Sequence, residues 1–191
     1  MRVIAGMARG VPLKAPKGMN TRPTSDRVRE SLFAILGDLS DARVLDLFAG
    51  SGAMGIEALS RGATEVIFID KDRQAVKVIR ENLDKTKLQP AAKVLPVDTL
   101  KFLAAPSRYL PSEHRFDLAF VDPPYAGGLY EKVLNRLASS GLLAPSGLVV
   151  VEQPTKMEVL AQIAGFKLQR SERYGDTTIC FYRQPDLGEE Q

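Results

Sequence analysis

Apolar residues in this chain fall into two alternating patterns. Continuous runs at 43–48, 65–70, 92–97, 116–122 and 147–152 predict buried strands. Apolar positions three or four residues apart at 53–61, 72–86, 98–104, 128–139 and 156–164 predict amphipathic helices between and after them. Strand and helix taken in turn give an α/β fold with a doubly wound, mostly parallel sheet. The alternation breaks at the end, where 166–173 and 177–183 are extended runs around Tyr174-Gly175-Asp176, so a C-terminal antiparallel hairpin is expected. Ahead of the alternation, Val3-Ile4-Ala5 and Val11-Pro12-Leu13 sit among Gly6, Gly10 and Pro16 and predict a small hairpin followed by an irregular loop. Thr24-Ser25-Asp26 opens a helix whose apolar face is Val28, Leu32, Ile35 and Leu36, ended by Gly37. The expected division is a small N-terminal extension, 1–38, and a main domain, 39–185.

With 191 residues, 45% of them hydrophobic, the chain has enough apolar surface for one packed domain. The single cysteine, Cys180, excludes an internal disulfide, and His114 is the only imidazole, so no metal site is expected. Cys180 alternates with Ile179 and Phe181 and reads as core filler. No apolar run approaches the roughly 20 residues that span a bilayer. These features read as a cytoplasmic monomer with no membrane partner.

Charge changes the picture at one place. Lysine and arginine exceed aspartate and glutamate by only 26 to 23, yet residues 1–29 carry Arg2, Arg9, Lys14, Lys17, Arg22, Arg27 and Arg29 against Asp26 alone. Such a segment suits a polyanion, because each cation placed at a phosphate releases counterions; a solvated surface segment is the alternative. Arg2, Arg9, Arg22 and Arg27 are the candidates for nucleic-acid contact.

The stretch from Val44 to Gly55 reads as a strand, a glycine turn and a helix start, with Gly50, Gly52 and Gly55 spaced as in G-x-G-x-x-G. Asp70 closes the next strand, where a ribose-binding acid stands in dinucleotide sites. Asp46 separates the possibilities: a carboxylate at that strand end repels a pyrophosphate but suits the ammonium of S-adenosylmethionine. Capping of the turn is its other reading. The expected cofactor residues are Asp46, Phe48, Ala49, Gly50 and Gly52 on the turn, Asp70 and Lys71 at the ribose, and Asp98 and Thr99 at the adenine edge. Asp70 and Asp72 could divide ribose binding and helix capping between them, and Asp98 could equally cap a helix.

The most specific signal is the strand 116–122, which runs into Asp122-Pro123-Pro124-Tyr125. Two prolines stop the strand and remove two backbone donors, leaving the Asp122 carboxylate and the Pro123 carbonyl as acceptors. Two acceptors on the hydrogens of an exocyclic amine localise its lone pair toward an electrophilic methyl group. Tyr125 offers a face on which an extruded base stacks, an interaction of about 1–3 kcal/mol. Asp122, Pro123 and Tyr125 are the expected catalytic residues.

The segment from Thr21 to Glu30, the glycine turn, the Asp-Pro-Pro-Tyr motif and the terminal hairpin together resemble the bacterial 16S ribosomal RNA guanine-N2 methyltransferases of the RsmD type. The resemblance implies a class I, Rossmann-like methyltransferase fold, S-adenosylmethionine as donor and a guanine N2 amine of 16S ribosomal RNA, naked or in an assembling small subunit, as acceptor. Asp-Pro-Pro-Tyr also occurs in DNA adenine-N6 methyltransferases, but those usually carry a separate sequence-reading domain for which this chain has no room. A non-catalytic RNA-binding assembly protein remains a further alternative.

Overall fold

The computed structural model describes residues 1–16, 25–124 and 128–185. Contacts group the chain into two units, Met1–Asp98 and Thr99–Gln191. The boundary expected at residue 38 falls inside the first of them.

The first unit holds α1 (Asp26–Leu36), β1 (Arg43–Leu47), α2 (Ala53–Ser60), β2 (Glu65–Asp70), α3 (Arg73–Thr86) and β3 (Ala92–Pro96). Its strands run parallel in the order β3-β2-β1. Val44, Leu45, Leu47 and Val66 through Ile69 are buried without alternation, as expected where helices cover both faces of a sheet. Local chemistry sets the helix ends. The Ser25 hydroxyl accepts the Val28 amide at 3.3 Å to open α1, and Gly37, at φ 73°, closes it. Asp72 caps α3 by accepting the amides of Gln74 at 2.6 Å and Ala75 at 3.1 Å.

The N-terminal segment forms the expected minimal hairpin, with one bridge between Arg2 and Pro12, and is fastened to the helices. Glu57, buried on α2, accepts the amides of Ile4 at 2.7 Å and Ala5 at 3.1 Å and pairs with Arg61 at 2.8 Å. Ser60 accepts the Met7 amide on its carbonyl at 2.7 Å and the Ala8 amide on its hydroxyl at 2.9 Å. Gly6 makes this approach possible: it sits at φ +80°, and a Cβ there would lie 1.7 Å from the Ser60 carbonyl oxygen. Val3, Ala8 and Leu13 are the segment's own buried side chains. Arg29 is also fully buried and donates through Nη2 to the Arg2 carbonyl and, at 3.1 Å, to Asp26. Its burial lowers the guanidinium pKa, against the opposing pull of Asp26 and Glu57.

The second unit holds α4 (Thr99–Ala104), β4 (Phe116–Val121), α5 (Leu129–Ser139), β5 (Leu143–Pro154), β6 (Gln162–Ile163), β7 (Phe166–Tyr174) and β8 (Thr177–Arg183). The order is β4-β5-β8-β7-β6, with β4 and β5 parallel and the remaining pairs antiparallel. The terminal hairpin forms as expected, turning through Gly175 and Asp176.

The helix expected at 156–164 does not form. Side chains and a neighbouring strand take the carbonyls that a helix would use: Gln153 donates to the carbonyls of Met157 and Glu158, Tyr182 to that of Leu160 and the Leu168 amide to that of Ala161. Ala164 and Gly165, at φ 52° and 82°, then turn the chain so that β6 pairs with β7. Among the described residues no helix is long and apolar enough to cross a membrane.

Candidate active site

The turn between β1 and α2 requires three residues with positive φ: Phe48 at 60°, Gly50 at 56° and Gly52 at 74°. Phe48 is unusual, because a bulky side chain in that region costs of order 1–3 kcal/mol and persists only where its surroundings hold it. The hold comes from both sides. Ala49 donates to the Ile69 carbonyl at 3.1 Å, carrying the ladder one bond past β1, and Gly52 donates back to the Ala49 carbonyl at 2.7 Å. Packing accounts for Gly55, where a Cβ would come within 2.3 Å of the Phe68 ring. At Gly50 a Cβ would meet nothing nearer than the Phe48 carbonyl oxygen at 3.9 Å, so the turn opens outward there.

Two carboxylates hold this turn from below. Asp70, at the end of β2, accepts the Gly50 amide at 2.8 Å on one oxygen and the Asp72 amide at 2.9 Å on the other. It is 9% exposed. Of the two acids, Asp72 caps α3, and Asp70 is bonded to the turn. Asp46 is 3% exposed and accepts the Gly55 amide at 3.0 Å. Burial pushes its pKa up to about 7, opposed by the Gly55 amide and reinforced by the negative charge of Asp70. The capping reading of Asp46 is therefore present in the structure.

These contacts decide what the turn can receive. A pyrophosphate site needs glycine-turn amides aimed at the ligand. Here the amides of Gly50, Gly52 and Gly55 donate to Asp70, to the Ala49 carbonyl and to Asp46. The motif presents acceptors and negative charge, which suit ribose hydroxyls and an ammonium. An ionised carboxylate has about four lone-pair directions, so Asp70 retains capacity for two hydroxyl donors beyond its two amides. The residues therefore fit S-adenosylmethionine.

Lys71 and Asp98 are brought together, Nζ to carboxylate at 3.3 Å, with Lys71 well exposed. Thr99 is buried as the first residue of α4. In the second unit Asp122 is exposed just past β4, while Pro123 is buried behind it. Tyr125 and Arg22 lie outside the described residues. Of the basic candidates, Arg9 and Arg27 are exposed, and Arg2 stands 3.8 Å from Asp26 with its side chain largely in water. Glu57, Ser60 and Asn82, which hold the N-terminal segment, are not among the residues the sequence singles out. Their signal was a polar residue on the core-facing stripe of a helix.

A family model described as conserved hypothetical protein 95 matches residues 1–183. Ribosomal RNA small subunit methyltransferase D of Escherichia coli K12 is 37% identical over 190 residues, covering 99% of this chain and 92% of that protein. The chain belongs to the RsmD family of ribosomal RNA methyltransferases. YlbH, a candidate rRNA methyltransferase of Bacillus subtilis, is 38% identical over 185 residues, 96% of this chain and 99% of its own. Among solved structures, the candidate methyltransferase yhhF of Escherichia coli superimposes with a TM-score of 0.81 at 36% identity, over 97% of this chain and 98% of the other. The fold is that of the class I methyltransferases, as the resemblance implied.

Proposed function

We propose that this RsmD-family chain uses S-adenosylmethionine to methylate the exocyclic N2 amine of a guanine in 16S ribosomal RNA, free or within an assembling small subunit. The observation that carries the cofactor is the engagement of all three glycine amides by internal acceptors, with Asp46 and Asp70 beneath the turn. Relatives named ribosomal RNA small subunit methyltransferase D support the substrate class.

In this reading Asp70 accepts the ribose hydroxyls, the turn from Phe48 to Gly52 lies against the amino-acid portion, and Asp46 adds negative charge toward its ammonium. Lys71, Asp98 and Thr99 border the adenosine end. The cofactor supplies an electrophilic methyl group on a sulfonium that leaves as a neutral thioether. Asp122 accepts a hydrogen bond from the guanine N2 amine. As nitrogen gains its bond to carbon it becomes cationic, so the bond to Asp122 strengthens, and the carboxylate stands beside the proton that N2 must shed. Pro123 has no N–H to compete for that acceptor. Tyr125 supplies the face on which the flipped guanine stacks. Arg2, Arg9, Arg22 and Arg27 meet RNA phosphates.

Mass mapping of modified guanines in ribosomal RNA from cells with and without the gene tests the reading. Loss of one N2-methylguanosine from 16S RNA is expected, and an unchanged set of guanine modifications contradicts it.

A further inference from the structure

Asn82 lies on the core-facing stripe of α3 with Ile79 and Leu83 and is fully buried. A leucine there would match that stripe without desolvating an amide. The asparagine is favourable only if its polar atoms are satisfied, since a buried amide left unbonded is strongly unfavourable. They are satisfied by two distant pieces of chain. Oδ1 accepts the Lys14 amide at 2.8 Å, and Nδ2 donates to the Lys14 carbonyl at 3.0 Å and to the Ser51 carbonyl at 2.9 Å. Ser51 sits between Gly50 and Gly52 in the cofactor turn. Lys14 ends the fastened part of the N-terminal segment, where the Leu13 amide donates to the Met1 carbonyl at 3.1 Å and Lys85 to the Pro12 carbonyl at 2.7 Å.

We propose that Asn82 is a positioning residue that couples the N-terminal segment to the glycine turn, so that RNA held by the segment and S-adenosylmethionine held by the turn strengthen each other's binding. The inference rests on the function proposed above and adds a regulatory link within the same site. Lys14 is held through both its N–H and its C=O, so a shift of the segment breaks both bonds together. The same carboxamide then loses the orientation that holds Ser51. A ligand that fixes the turn favours one orientation of Asn82, and that orientation fixes Lys14. By thermodynamic linkage the effect is reciprocal: RNA must tighten cofactor binding by the same factor that cofactor tightens RNA binding.

The test uses the full chain, S-adenosylhomocysteine and a transcribed 16S RNA fragment, with each dissociation constant measured alone and with the other ligand saturating. Wild type should give the same coupling factor in both directions, of roughly fivefold or more. In Asn82→Leu the factor should fall toward one, whatever loss each ligand shows when bound alone. A merely structural role would weaken both ligands and leave their ratio intact. Wild-type coupling of one, or full coupling in Asn82→Leu, overturns the proposal. Should that variant not fold, amide hydrogen exchange on wild type decides: S-adenosylhomocysteine alone should slow exchange at Lys14, and protection confined to the turn and Asp70 overturns the link. Failure of wild type to bind S-adenosylhomocysteine contradicts the methyltransferase reading itself, and the inference falls with it.

Discussion

The Asp70 carboxylate accepts the amide of Gly50 at 2.8 Å across twenty residues of chain, tying the end of one strand to the glycine turn of its neighbour. One side chain thus shapes the turn and, in the proposed function, accepts the ribose hydroxyls. The glycine pattern by itself fits dinucleotide and S-adenosylmethionine sites alike; with this hydrogen bond the Gly50 amide is given to a carboxylate.

Asp70→Ala should weaken S-adenosylhomocysteine binding by about 10- to 100-fold, the range for loss of hydrogen bonds to a charged group. Asp70→Asn keeps one acceptor oxygen and should fall between. Isothermal calorimetry checks both, and unchanged affinity in the alanine variant would remove Asp70 from the cofactor site.

Asp46 predicts a pH dependence of definite sign. Its folded pKa of about 7 lies above the unfolded carboxylate value of about 3.9. Between those values the folded chain holds a proton that the unfolded chain has lost, so this group's stabilisation is full below pH 4 and is lost as pH rises to 7. Asp46→Asn should flatten that slope in urea titrations at pH 5 and 7. An ammonium arriving at the turn favours the carboxylate, so cofactor binding near pH 6 should release a proton, read by calorimetry in buffers of different ionisation enthalpy. An identical slope in the asparagine variant would contradict the assignment.

Gly6→Ala places a methyl group where the Ser60 carbonyl stands and forces an L-residue to φ +80°. The segment must lift away from α2, with a stability loss above about 1 kcal/mol. RNA affinity should fall and its salt dependence flatten, because Arg2 and Arg9 are no longer held in place. Thermal melts and filter binding at two salt concentrations check this; a variant as stable as wild type would show that the segment is not fastened as described.

The parts of the molecule legible in the sequence were those where one local signal suffices. β1, the glycine turn and α2 announced themselves through a buried run followed by glycines, and α3 through Asp72 and its apolar stripe. The stretch 156–164 carried helical spacing but lost to tertiary partners: Gln153, Tyr182 and β7 satisfy its backbone, and no local pattern encodes that. The N-terminal segment read as a basic arm because its charges are visible in sequence, whereas its anchors, Glu57, Ser60 and Asn82, lie 52 to 68 residues away from their partners. Asp46 stands out in the sequence as a strand-end carboxylate, but its burial and its bond to Gly55 depend on the packing of α2 over β1.

Asp122 carries the chemistry of the account. Asp122→Ala should lower kcat by roughly 10²-fold or more, as for removal of a preorganised polar partner, with cofactor affinity little changed. Tyr125→Phe should be mild, and Tyr125→Ala should raise KM for RNA as the flipped base loses its platform. Single-turnover kinetics with RNA and cofactor saturating separates these effects; near-normal transfer by Asp122→Ala would reduce the motif to a strand terminator.

The most direct measurement is a purified reaction of the chain with S-adenosylmethionine carrying a deuterated methyl group and unmodified small-subunit RNA, offered naked and as assembled particles, followed by nucleoside mass analysis. The account predicts deuterated N2-methylguanosine at a single position, strongly reduced with Asp122→Ala. Label on adenine N6, or no label on either form of the RNA while the chain binds S-adenosylmethionine, would contradict it.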